Sequence, residues 1–255
     1  MKTLSIAALA ACVLASPSYA QSRAADGKPD LNGVWAGPGF THVVGPGDTD
    51  TPRVTMYDAK LFPPLRPGAE VAYLRRKPTG DPRLDDPTAF CLPNGLTRQI
   101  LSPYAQQWIH TPTMMVILYE YMHFFRVIPI GAPNRAHDPD VEPTWMGDSI
   151  GWWEGDTFVI DTVGLKEWML DASAGPEGGH DRWHSDALHT VERLRFTDAS
   201  TVAYTITLDD PKVFTRPFSQ QFGMKRHPTW KILEFVCEEN NRCEGGKCVT
   251  SEVQK

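Results

Sequence analysis

Titratable side chains crowd into one short stretch of the chain: His180, His184, Asp186 and His189, running on into Glu192 and Arg193. Imidazoles beside a carboxylate can exchange protons near neutral pH or hold a metal ion. Ser185, between His184 and Asp186, invites comparison with a nucleophilic serine. Such a serine normally stands on a strained elbow like Gly-x-Ser-x-Gly and takes its base from elsewhere in the chain, so Ser185 or Asp186 is read instead as capping the turn into the next strand. His184 and His189 are five residues apart, which is not the spacing of a helical metal pair. With no His-Glu-x-x-His or comparable template, no metal is expected. There is also no P-loop and no Gly-x-Gly-x-x-Gly, so no cofactor is expected.

A second source of chemistry lies upstream. Gly147-Asp148-Ser149-Ile150-Gly151-Trp152-Trp153-Glu154-Gly155-Asp156-Thr157-Phe158-Val159-Ile160-Asp161-Thr162 reads as a β-hairpin closed by the two-residue loop Gly155-Asp156. Counting outward from the loop sets Glu154 opposite Thr157, Trp153 opposite Phe158, Trp152 opposite Val159 and Ile150 opposite Asp161. Alternation then puts Asp161 on one face with Ile150, Trp152 and Val159. A carboxylate in such company needs a hydrogen-bonding or cationic partner, or a proton. Glu120 follows the apolar run Val116 to Tyr119, and Arg126 interrupts Phe124-Phe125-Val127-Ile128. The bland account of Glu120, Arg126, Asp161, Glu192 and Arg193 is a buried ion-pair or barrel-end network. The functional account gives Asp161 and His184 proton transfer, with Asp186, His189, Glu120 and Glu192 as further acid-base groups and Arg126 and Arg193 holding an oxygen.

The elements that must position these groups are strands. Candidates are Gln106 to Thr111, Met114 to Tyr121, His123 to Ile130, Ser149 to Glu154, Thr157 to Val163, His189 to Phe196, Val202 to Leu208, Phe214 to Phe222 and Trp230 to Cys237, after a first strand around Gly33 to Ala36. Short turns between most of them describe an antiparallel meander, and closure into a β-barrel would remove its exposed edges. A β-sandwich is the alternative, because the breaks at 131–148 and 164–188 are long enough for the chain to change sheets. One short helix is expected over Pro67 to Arg76. Residues 37–103 otherwise read as loop, within a single domain spanning 21–255.

Met1 to Ala20 carries an early lysine, an apolar run and a Ser-Tyr-Ala ending, the pattern of a secretory signal, so a periplasmic or secreted protein is expected. Leu9-Ala10-Ala11-Cys12 also matches a lipoprotein box, which leaves a lipid anchor at Cys12 as the alternative. No other stretch is apolar for the ~20 residues that span a bilayer. With 31 acidic against 25 basic residues and no Lys/Arg cluster, nucleic acid is not an expected partner. Four cysteines remain beyond the leader. In an oxidising compartment they read as two disulfides, Cys91 with Cys237 and Cys243 with Cys248, among three possible connectivities.

Leu31-Asn32-Gly33-Val34-Trp35 resembles the Gly-x-Trp opening strand of lipocalins and their calycin relatives, which implies a tryptophan plugging one barrel end beneath a basic residue of the final strand, here Lys231. A wider resemblance rests on Gly147-Asp148-Ser149-Ile150-Gly151, Trp153-Glu154-Gly155-Asp156-Thr157, Asp161-Thr162, then His184-Ser185-Asp186-Ala187-Leu188-His189 with Glu192-Arg193. These are similar to a family of secreted bacterial proteins with no established activity, which implies a shared fold and site but no catalytic residue. A barrel of this size offers one cavity at a mouth. Trp108, Tyr119, Trp152, Trp153 and Trp183, with Tyr121, Phe124 and Phe125, are the residues that could line it for a small apolar or aromatic molecule. The expected function is binding of such a molecule and its conversion by acid-base chemistry, as a lyase, isomerase or hydrolase. A non-catalytic carrier or an envelope interaction protein is the alternative.

Overall fold

The computed structural model describes residues 22–36, 63–76, 85–102, 104–133, 135–174, 180–237, 241–244 and 247–250. The expected signal at 1–20, with Cys12, and most of the early loop lie outside them. The chain runs β1 (Gly33–Ala36), α1 (Ala69–Tyr73), β2 (Leu74–Arg76), α2 (Leu96–Ile100), β3 (Gln106–His110), β4 (Met114–Tyr119) and β5 (Phe125–Pro129). It continues through β6 (Asp148–Glu154), β7 (Thr157–Val163), β8 (Trp168–Ala174), β9 (His180–His184), β10 (His189–Phe196), β11 (Thr201–Asp209) and β12 (Phe218–Arg226). A hairpin of β13 (Asn241–Glu244) and β14 (Lys247–Thr250) follows.

Nine strands form one all-β sheet in the order β5-β4-β3-β1-β12-β11-β10-β7-β6, nearly closed into a barrel. Every hydrogen-bonded pair in that order is antiparallel. Nine is odd, so a ring of alternating strands must contain one parallel junction. It falls between β5 and β6, where Ile130 and Gly151 form a parallel bridge and the Gly131 amide donates to the Gly151 carbonyl at 2.9 Å. Parallel neighbours need a long crossover. Residues 130–147 supply it, which explains the first long break as a consequence of closure.

The hairpin register is the one counted from Gly155-Asp156: Trp153 pairs with Phe158, Trp152 with Val159 and Ile150 with Asp161. Gly155, at φ +59°, provides the left-handed conformation that the turn requires. The inward residues of β6, β7 and β10 to β12 join a core that includes Phe158, Ile160, Leu194, Val202, Tyr204 and Ile206. At its heart Trp35 and Trp108 stack with ring centroids 4.6 Å apart. The basic residue over Trp35 is Arg226 of β12, 4.7 Å from the ring centroid, and not Lys231, which is exposed beyond the last barrel strand. Arg226 also donates to the Asp30 carbonyl and packs along Gly33. Lys231 lies in 230–237, which forms no strand because the barrel has already closed with β12.

Other expectations are corrected. Among the described residues two short α-helical elements occur, not one: α1 is confined to Ala69–Tyr73, and the fully buried α2 lies within the expected loop. The break at 164–188 holds β8 and β9, which with β2 make a separate three-stranded sheet in the order β2-β9-β8. Ser185 anchors this sheet to the barrel, since its amide and its hydroxyl each donate to Asp210 at 2.7 Å. The strand expected from Phe214 is β12, displaced to Phe218. The Cys91–Cys237 disulfide forms, with Cα atoms 5.7 Å apart, although Cys237 is not in a strand. The backbone register sets Cys243 opposite Cys248.

Candidate functional site

Asp161 faces outward from the barrel wall. Its neighbours are the apolar residues counted from the sequence, because Ile150, Trp152 and Val159 form a small cluster of their own with Val191 packed against it. This cluster is separate from the barrel core. Two imidazoles approach the carboxylate. His189 places Nε2 2.8 Å from Oδ2, and His137 places Nε2 2.8 Å from Oδ1. The other ring nitrogen of His137 lies 2.7 Å from Asp148 Oδ2. The result is a continuous chain, Asp148, His137, Asp161, His189, in which the crossover segment delivers His137 and the strands β6, β7 and β10 deliver the rest.

Register explains why these groups meet. Asp148 pairs with Val163, and Asp161 pairs with both Ile150 and Val191. Asp148 and His189 therefore stand diagonally on either side of Asp161, within reach of a bridging or direct imidazole. The network is partly covered: the Asp161 side chain is 19% exposed and that of His189 is 40% exposed. Partial burial works to raise the Asp161 carboxyl, but the hydrogen bonds from His189 and His137 outweigh it and hold the group below its ordinary value. The same hydrogen bond, donated to Asp161, raises His189 above the usual imidazole value, against the effect of its own burial. With Nε2–H donating to Asp161, a neutral His189 ring keeps its lone pair on Nδ1. His137 meets carboxylates at both nitrogens, Asp148 through Nδ1 and Asp161 through Nε2.

A second polar network lies on the inner face of the same three strands. Arg126 forms a two-pronged pair with Glu192, at 2.9 Å from Nη1 and 2.7 Å from Nη2, and the two side chains are 2% and 0% exposed. Arg126 Nη2 also donates to Ser149 at 2.9 Å and Thr162 at 3.0 Å, and the Tyr204 hydroxyl donates to Glu192. Burial opposes the Arg126 charge, and Glu192 more than restores it. Burial also pushes the nearby Tyr119 phenol up to about 12. Asp148 and Ser149, Asp161 and Thr162, His189 and Thr190 are successive residues that alternate between an outward acid-base chain and an inward ion-pair cluster.

The remaining sequence candidates are dispersed. His184, at the end of β9, is buried, donates from Nδ1 to the Ser185 carbonyl at 2.9 Å, and is lowered by burial. Among the described residues it makes no hydrogen bond to Asp161, whose two oxygens are taken by His189 and His137. Asp186 is exposed and pairs with Lys212 at 2.5 Å. Glu120 lies beyond β4, where it accepts from the Leu233 amide at 2.8 Å, and Arg193 pairs with Glu154 at 2.5 Å on the outer surface. Of the five charges considered for one internal network, only Arg126 and Glu192 join. The His180 side chain lies outside the described residues. The aromatic candidates do not line one pocket: Trp108 and Tyr119 belong to the core, Trp153 packs at 5.0 Å from Phe158, Trp152 belongs to the outer cluster, and Trp183 packs on Trp168 under Arg75.

His137 and Asp148 are the residues that sequence reasoning missed. Asp148 was visible as the outward partner two places from Ile150. His137, in the crossover segment, carries no periodic signal, and only the closure of the ring brings it to Asp161. No family model matches this chain, and none of the curated proteins or solved structures compared with it matches either.

Proposed function

We propose that the protein binds a small apolar or aromatic molecule against the outer wall of the barrel and moves a proton on it with His189, which Asp161 orients. The observation that carries this reading is the pair of 2.8 Å contacts from one carboxylate to two imidazoles, set at the edge of an apolar cluster. An imidazole raised above its ordinary value and held in one tautomer by a carboxylate suits general acid-base chemistry. His137 and Asp148 fix the second oxygen of Asp161 and so act as positioning residues. Val191, half-buried, offers the apolar contact, with Ile150 and Trp152 buried behind it. Arg126 and Glu192, locked together inside, serve the wall behind the site. The reaction is a lyase, isomerase or hydrolase step that needs one mobile proton. The leader-like first twenty residues and the Cys91–Cys237 bond support a periplasmic or secreted location.

Deuterium exchange tests proton transfer without knowledge of the product. The protein is incubated in D2O with a panel of aromatic and cyclic carbonyl compounds, and deuterium gained at an acidic C–H is read by mass spectrometry. Exchange should occur with the native chain and be lost in His189→Gln. Exchange that survives this change contradicts the assignment. A second reading, as a non-catalytic carrier or envelope interaction protein, is favoured by the outer face of β5, where Phe125 and Val127 are 61% and 49% exposed. It predicts binding without exchange.

A further inference from the structure

The outer wall holds a second feature, independent of the acid-base chain. Register sets Arg195 opposite Ala203 and Ala203 opposite Gly223, so one row across β10, β11 and β12 has almost no side chain on its second and third strands. The row before it is long-chained: Arg193 pairs with Thr205, and Thr205 with Gln221. A low floor beside a high wall makes a trough. The structure shows an open hollow of about 620 Å³ there, bordered by Arg193, Thr205 and Gln221 on one side and by Thr157 and Thr197 near the strand ends. This is within the size range of small-molecule sites, roughly 300 to 1,000 Å³.

Its chemistry is hydrogen-bonding and cationic, on a chain whose net charge is −6. Arg193 is paired with Glu154. Arg195 makes no hydrogen bond or ion pair within the described residues, although its charge helps to lower Asp156 near the hairpin tip. The Thr205 hydroxyl donates to the Gln221 side-chain oxygen at 3.2 Å. That contact turns the amide so that its two N–H donors remain for a guest. A free guanidinium matches a carboxylate, and the threonine and glutamine groups match a row of hydroxyls.

We infer that this hollow is a binding site for an acidic saccharide, with the carboxylate on Arg195 and the sugar hydroxyls on Thr205, Gln221 and Thr197. A floor at Ala203, with its register partner Gly223 beside it on the next strand, lets a ring lie close to the sheet. The site needs no proton transfer, and its failure would leave the His189 assignment untouched.

The test is calorimetric titration of the full chain with a galacturonic acid trimer, using a neutral glucose trimer and sodium sulfate as comparison ligands. The acidic trimer should bind, the neutral trimer should not, and sulfate should be far weaker than the acidic trimer. Arg195→Gln should weaken binding roughly tenfold to a hundredfold, as loss of a charge-assisted contact does. Ala203→Leu should block the floor and abolish binding, while circular dichroism and the melting temperature report an intact fold. Gly223→Leu gives a second plug, since a Cβ there meets nothing nearer than a Thr201 methyl at 3.7 Å. The proposal is overturned if the acidic trimer fails to bind at millimolar concentration, if sulfate binds as well as the trimer, or if folded Arg195→Gln and both plugged variants bind as the native chain does.

Discussion

Arg126→Met isolates the part of the barrel that lies behind the site. It leaves Glu192, with no exposed side-chain surface, facing the Tyr204 hydroxyl as the one remaining donor of the network, and it strips Ser149 and Thr162 of their shared guanidinium. Breaking one partner of a buried pair costs about 3 to 5 kcal/mol. For a domain of this size each kcal/mol is worth about 2 to 4 °C, so the melting temperature should fall by roughly 6 to 20 °C. Replacing both charges changes the outcome. In Arg126→Met/Glu192→Leu no buried charge is left unpaired, Ser149 and Thr162 still share a 3.0 Å hydrogen bond, and only the Tyr204 hydroxyl loses its acceptor, a loss of about 1 to 3 kcal/mol. Adding Tyr204→Phe removes that deficit too. Thermal and urea unfolding of the three variants should therefore show the single change as the worst and the triple change as nearest to the native chain. A single variant that loses less than about 1 kcal/mol, or a double variant that loses more than the single one, refutes the claim that these charges stabilise each other out of water.

Three further outcomes follow from the same structure. Gly147→Ala should destabilise the entry to β6 by more than about 2 kcal/mol in urea unfolding, because φ is +69° and the new Cβ would lie 2.6 Å from both a Thr162 methyl and the Val163 carbonyl. Cys91→Ser/Cys237→Ser removes a bond that spans 146 residues of sequence and should lower stability by up to about 5 kcal/mol, whereas a chain that melts unchanged contradicts the pairing. Stability between pH 5 and 8 should peak near 6.5. His189 has a raised folded value, so its contribution is complete below 6.5 and is lost as pH rises through that folded value. Buried His184 and His110 are depressed by burial, so stability falls as pH drops below 6.5 toward their folded values. Asp161, also depressed, keeps its contribution above 3.8 and loses it as pH falls through its folded value, outside this range. A urea midpoint that climbs steadily through pH 8 would contradict this balance.

Local signals carried the architecture well wherever two strands meet across a short turn. Gly155-Asp156 set the hairpin register residue by residue, and the alternation in it correctly gathered Asp161 with Ile150, Trp152 and Val159. Gly33-Val34-Trp35 placed a buried tryptophan beneath a basic side chain, but Lys231 was the wrong one because the strand containing it does not exist. Long-range consequences were less legible. That Arg126 would meet Glu192 depends on a ring of nine strands closing, and that His137 would meet Asp161 depends on the parallel junction which an odd ring requires. His184 looked like the partner of Asp161 because both belong to polar motifs. Yet β9 leaves the barrel for the side sheet, and burial keeps His184 there. The aromatic residues share a composition but not a face, so their even spread along the sequence became three separate packing sites.

The account turns on the bond between Asp161 and His189. Its most direct test is a pH titration of the histidine ring signals by heteronuclear NMR in the native chain and in Asp161→Asn. His189 should titrate above 6.5 in the native chain and drop by a clear margin in the variant, which keeps a hydrogen-bonding oxygen but removes the charge. A His189 that titrates at or below 6.5 in the native chain, or at the same pH in both proteins, would contradict the central claim.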